Sequence, residues 1–117
     1  DIHNYPAPSM PFHSSEYVVV LGEYGGIGYP IKEHLWWNKR NWGYIQFNNT
    51  DEVTDEYVKY ATMLKQFIPQ GMAAAIYTQT TDVEGEVNGF VTYDRKVVKM
   101  DKAKVKAINT EIINLLK

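Results

Sequence analysis

The 117 residues suffice for one small domain and are too few for two. A hydrophobic share of 44% against 22% charged is that of a folded globular chain and excludes extended disorder. A net charge of −2 and a pI near 5.9 remove any electrostatic ground for nucleic acid or an anionic membrane as partner, and the absence of cysteine excludes disulfides and thiolate metal sites.

In chain order, Asp1 to Ser15 holds Pro6, Pro8 and Pro11, a density that forbids a regular helix and most strand pairing, so the stretch reads as loop. Its opening, Asp1-Ile2-His3-Asn4, has neither the basic start nor the apolar centre of a signal peptide. A chain that begins with Asp reads as a piece of something longer. The parent's compartment therefore stays open, with the periplasm and secretion both compatible. Tyr17-Val18-Val19-Val20-Leu21 is an unbroken apolar run, the pattern of a strand buried on both faces of a parallel sheet. It stops at Gly22-Glu23-Tyr24-Gly25-Gly26. From Ile27 to Thr50 no period is visible, yet Tyr29, Trp36, Trp37, Trp42, Tyr44 and Phe47 all fall there, as in a functional loop.

The clearest helix follows. Val53, Tyr57, Tyr60, Ala61, Leu64, Phe67 and Ile68 make one stripe, with Thr50 or Asp51 as N-cap and Pro69-Gly71 as the stop. Met72 to Tyr77 reads as a second short buried strand. Asp82 to Tyr93 is a polar loop with turn signals at Gly85 and Asn88-Gly89, and its Asp82-Val83-Glu84-Gly85-Glu86 reads as a solvated turn, lacking the ligand order of a calcium loop. Lys96, Lys99, Lys102, Lys104 and Lys106 read as a solvated face around a last helix, capped by Asp101 and carrying Val105, Ile108, Ile112, Leu115 and Leu116 on its apolar side. Strands alternating with amphipathic helices imply a parallel α/β architecture. Two strands leave their edges uncovered, so the chain either self-associates or belongs to a larger sheet or barrel.

In such folds chemistry sits at the C-terminal ends of the strands, and the residue there on the first strand is Glu23. Its flanking glycines would let a ligand approach, and partial burial would tune the carboxylate; the alternative is a strand-terminal Glu facing solvent. The tryptophan-rich segment offers flat rings for the apolar face of a sugar, or else simply the core of a long loop. Adjacent Trp36 and Trp37 point apart, so one of them at most reaches a ligand. His3, His13 and His34 have no metal-ligand spacing, no phosphate-binding glycine motif is present, and no cofactor is implied.

Three segments carry a resemblance. Val20-Leu21-Gly22-Glu23-Tyr24-Gly25-Gly26 resembles the nucleophile strand of glycoside hydrolase family 2, the β-galactosidases, β-glucuronidases and β-mannosidases. Asp1 to Pro8 is similar to the exit of the preceding strand, and Ala74 to Glu84 with Asn88 to Arg95 to the eighth strand and its loop in one bacterial branch. The resemblance implies a partial (β/α)8 TIM barrel: residues 1–117 would be the C-terminal segment of a catalytic barrel, covering the exit of strand 6, strands 7 and 8 and the last two helices. It further implies a retaining glycosidase acting on terminal β-linked sugars, with Glu23 as nucleophile and His3, Asn4, Tyr5, Tyr24, Trp36, Trp37 and Tyr77 at the substrate. Tyr77 would replace the family's usual Trp. The acid/base Glu lies on a strand this chain does not contain, so the isolated piece is expected to be inactive without the remainder of its parent. The rival expectation is a carbohydrate-binding module that uses its aromatic segment without catalysis.

Overall fold

The computed structural model describes residues 1–117 in full. Strands β1 (Ile2–His3), β2 (Val19–Tyr24), β3 (Ile27–Gly28) and β4 (Ile45–Gln46) precede helix α1 (Thr50–Phe67). A 3-10 turn (Ile68–Gln70), strand β5 (Met72–Tyr77) and helix α2 (Lys102–Asn114) complete the chain. The main sheet has the order β1-β2-β5, all parallel, and β3 pairs with β4 in a second parallel sheet.

The expected (β/α)8 barrel is not the fold. Three main-sheet strands, two further two-residue strands and two α-helices make a small α/β unit, with no series of eight repeated strand–helix units. A barrel closes only when strand number, tilt and stagger agree, and a three-stranded sheet keeps both edges open. The alternation of strand and helix in the sequence specifies parallel pairing. It does not specify how many strands the sheet will have.

Helix α1 forms where its stripe predicts. Val53, Tyr57, Tyr60, Ala61 and Leu64 are buried and meet Leu21 and Tyr24 of β2, Met72 of β5 and Ile108 of α2 in one core. Its cap is Asn49 rather than Thr50 or Asp51, the Asn49 Oδ1 accepting from Glu52 N at 2.9 Å. Asp101 caps α2 as read, accepting from Ala103 N and Lys104 N at 2.8 and 3.0 Å. The Asp101 backbone N–H donates to Thr54 Oγ1 at 2.9 Å and the Tyr57 hydroxyl to Asn109 Oδ1 at 2.8 Å, which ties α2 to α1.

Three burial expectations are overturned. Tyr17 and Val18 are 74% and 75% exposed, because β2 starts at Val19 and two-residue β1 pairs only with its later part. Strand β5 exists as expected but is an edge, with Ala73 and Ala74 exposed and Ile76 52% exposed. The lysine series is not one solvated face either, since Lys99 is completely buried, with its ammonium bonded to Asp82, Tyr29 O and Val87 O. The radius of gyration, 14.9 Å, exceeds the roughly 13 Å of a well-covered domain of this length, in keeping with the open sheet.

Burial holds the phenols of Tyr24, Tyr57 and Tyr60 above their ordinary range. The folded state therefore keeps protons that the unfolded chain gives up near pH 10, so stability is full below that pH and falls as pH rises through the folded values. Each such phenol should remove about 1.4 kcal/mol per pH unit above ~10. Urea midpoints measured at about pH 9 and about pH 11 should differ clearly. Equal midpoints would mean that these rings are not sealed from water.

Candidate functional site

Because β1, β2 and β5 run parallel, their C-terminal ends open on one side of the sheet. The ladder continues past them: Asn4 N donates to Glu23 O, Gly25 N to Pro6 O and Thr78 N to Tyr24 O, each at 2.9 Å. That continuation places His3 and Tyr5, Glu23, and Thr78 side by side, although each lies far from the next in sequence.

Glu23 is the centre of the group, its side chain 41% exposed. The Tyr5 hydroxyl donates to Glu23 Oε2 at 2.6 Å, and His3 Nδ1 stands 3.4 Å from the same oxygen. Tyr5 Oη and Thr78 Oγ1 are 2.5 Å apart. An ionised carboxylate can only accept, so the single Tyr5 proton goes to Glu23 and Thr78 supplies the proton of the second bond. The result is a directed chain from Thr78 through Tyr5 to Glu23 Oε2, which leaves Oε1 without a protein partner. Burial, with the bond to Glu23 adding to it, pushes the Tyr5 phenol up to about 12. Tyr5 therefore stays a neutral donor at any physiological pH.

Tyr5 is itself held by stacking, its ring lying 4.0 Å from that of Tyr44 at 8°. Trp42 meets Tyr44 edge-on at 5.6 Å, and these two rings are 45% and 52% exposed. An aromatic wall thus runs from the carboxylate to solvent. The turn after Glu23 makes this possible. Gly25 and Gly26 have φ of +113° and +70°, and a Cβ there would run into the rings of Tyr77 and Tyr44 respectively. The glycines admit the protein's own rings against the backbone, where the sequence suggested room for a ligand.

The other expected substrate residues are placed differently. Asn4 shapes the loop, its Nδ2 donating to Ala7 O at 2.7 Å. Tyr24 is 3% exposed, and Tyr77 packs edge-on against it at 5.5 Å and at a tilt of 48° against Phe90 at 4.6 Å, so both rings build the core beneath the strand ends. Trp36 leans on Tyr93, 5.4 Å away, and Trp37 lies beside Gly85, so both belong to a second loop cluster. Thr78, Tyr44 and Trp42 are the site residues that the sequence did not single out. The aromatic richness of 29–47 was the only signal for two of them, and Thr78 had none beyond its place after a strand.

None of the larger concavities contains Glu23. Two of about 410 and 450 Å³ are apolar seams, one between β5 and the helices and one beside Phe12, Tyr17 and Val18. Neither has the convergent polar groups of a reactive centre. The half-exposed Glu23 carboxylate, with Oε1 free of protein partners, is of a kind that can accept hydroxyls, steady a cationic carbon, or attack one.

No protein-family model matches the chain, and comparison with curated proteins finds no match, so the family resemblance rests on the quoted motifs alone.

Proposed function

We propose that Glu23 is the nucleophile of a retaining glycoside hydrolase acting on terminal β-linked sugars, with the acid/base carboxylate supplied from outside these 117 residues. The observation that carries this reading is the asymmetry of the carboxylate: one oxygen is held by Tyr5 at 2.6 Å and the other is free. In the first step Oε1 would attack the anomeric carbon as the glycosidic bond breaks, the leaving oxygen taking a proton from the second carboxyl. The glycosyl ester formed keeps its carbonyl oxygen, Oε2, in the Tyr5 bond. In the second step water, deprotonated by that same second group, would displace the ester with a second inversion. Negative charge returns to the carboxylate as the ester breaks, and a donor already aimed at Oε2 stabilises it without reorganisation. The exposed wall of Tyr44 and Trp42 would pack on the sugar's apolar face.

The same wall supports a second reading, a carbohydrate-binding surface in which Glu23 only accepts hydroxyls. Activated 2-deoxy-2-fluoro-β-glycosides distinguish the two, because they need a nucleophile but little acid assistance and leave a slow covalent adduct. Applied to the full-length protein and mapped by peptide mass spectrometry, they should label Glu23, and the sugar that labels fastest identifies the substrate class. Saturable binding of the reagents with no adduct on Glu23 would replace the hydrolase with the binding surface.

A further inference from the structure

The hydrogen-bond chain behind Glu23 leaves one choice open, and it concerns the Tyr5 proton. Tyr5 Oη lies 2.6 Å from Glu23 Oε2 and 2.5 Å from Thr78 Oγ1, so two acceptors compete for a single O–H. A carboxylate wins that competition, because a charge-assisted hydrogen bond is roughly twice as strong as a neutral one. An ester carbonyl is neutral and loses the advantage. Thr78 can respond to the change, since a hydroxyl both donates and accepts and its hydrogen rotates to suit. The residue is half-buried, so water can take that hydrogen when it turns away from Tyr5.

The heavy atoms need not move for this. The backbone N–H of Thr78 donates to Tyr24 O at 2.9 Å just past the end of β5, and the Tyr5 ring is stacked on Tyr44 at 4.0 Å. Both oxygens are thus held by the sheet and by stacking, and only the two hydrogens reorient. While Thr78 donates to Tyr5 Oη it polarises the phenol and strengthens the bond to Glu23, as successive bonds in a hydrogen-bond chain do. Once the Tyr5 proton turns to Thr78, that bond is given up.

We propose that Thr78 is a positioning residue whose hydroxyl follows the charge on Glu23, donating to Tyr5 beside the carboxylate and accepting from it beside the glycosyl ester. The inference rests on the hydrolase reading and gives its two steps opposite responses. In the first step Glu23 loses charge as it attacks, so a bond that is strongest to the carboxylate opposes the attack. In the second step the charge returns as the ester breaks, and the same bond favours the transition state over the ester. Thr78 acts only through Tyr5, and its effect is to shorten the life of the covalent intermediate.

An activated 2-deoxy-2-fluoro-β-glycoside on the full-length protein times the two steps separately. Release of the leaving group reports the attack, and recovery of activity from the isolated adduct reports its hydrolysis. In Thr78→Val recovery should slow on the order of tenfold, as for the loss of about one hydrogen bond, while the attack is no slower than in the wild type. Thr78→Ser keeps the hydroxyl and should recover at the wild-type rate. In a Tyr5→Phe background Thr78→Val should change neither step, because the group it acts through is gone. A general loss of packing would slow both steps together. Equal slowing of attack and recovery, or wild-type recovery in Thr78→Val, therefore overturns the assignment, as does a further effect of Thr78→Val on top of Tyr5→Phe. No adduct on Glu23 in the wild-type protein removes the hydrolase itself, and the role of Thr78 with it.

Discussion

With Glu23 as the proposed nucleophile, Glu23→Gly in the full-length protein is expected to lower kcat for an activated β-glycoside on the order of 10⁴–10⁶-fold. The informative part is the rescue. Removing the side chain leaves space beneath the anomeric carbon, on the side where Oε1 stood free of protein bonds. Azide can enter there, attack that carbon as the leaving group departs, and give an α-glycosyl azide by a single inversion. Glu23→Gln keeps the volume filled, so it should be equally inactive and show no rescue. Product analysis by NMR separates the outcomes. An α-azide from the Gly variant alone supports the nucleophile. Retention of most of the activity in both variants would assign the attack to another carboxylate. The Gly variant puts a second glycine next to Gly22 inside β2, so its melting temperature must be compared with wild type before its rate is interpreted.

How far the sequence reaches depends on what kind of information each feature needs. Local features were legible: the α1 stripe and the Asp101 cap depend on neighbours within a few residues, while β2 runs on past Gly22, where the apolar run stops, to Tyr24. The position of Glu23 was legible for a related reason, since a polar residue following an apolar run falls near the C-terminal end of its parallel strand. What failed needed partners distant in the chain. Nothing in Tyr17-Val18 says that β1 is two residues long and leaves them bare. The tightly bounded apolar run of Met72 to Tyr77 marks a short strand against the helix preference of its alanines, but not which edge that strand takes. Tyr44 reaches the site by stacking on Tyr5, thirty-nine positions earlier. Strand count, the feature that decided against a barrel, is a property of the whole assembly of strands, and no window of residues encodes it.

The largest effect on stability is expected at Lys99 and Asp82, where composition gave the wrong reading for both. A lysine among lysines and an aspartate in a polar loop read as solvated, yet their side chains are 0% and 3% exposed and joined at 2.6 Å. Removal from water pushes the Asp82 carboxyl up and the Lys99 ammonium down, and each partner opposes the other's shift. The ammonium also draws Tyr29 O and Val87 O together, so it fastens the loop after β3 to the loop that follows β5. Lys99→Met strands a buried carboxylate and two carbonyls and should cost about 3–5 kcal/mol, a large share of the roughly 5–15 kcal/mol that holds a domain together. The pH dependence fixes the cause. Without its ammonium the Asp82 carboxyl should rise further above its unfolded value, so the variant gains stability as the pH falls and Asp82 takes a proton, and the deficit should shrink from pH ~7 to pH ~5. Combining Lys99→Met with Asp82→Leu removes the stranded charge as well, and the double variant should recover most of the loss, giving a coupling of a few kcal/mol in a double-mutant cycle from urea midpoints. A single variant that loses less than about 1 kcal/mol, with no pH dependence, would mean that water reaches Asp82 and that the pair is not a buried clasp. A double variant as unstable as Lys99→Met would instead place the cost in the two orphaned carbonyls, making Lys99 chiefly a backbone donor and its charge incidental.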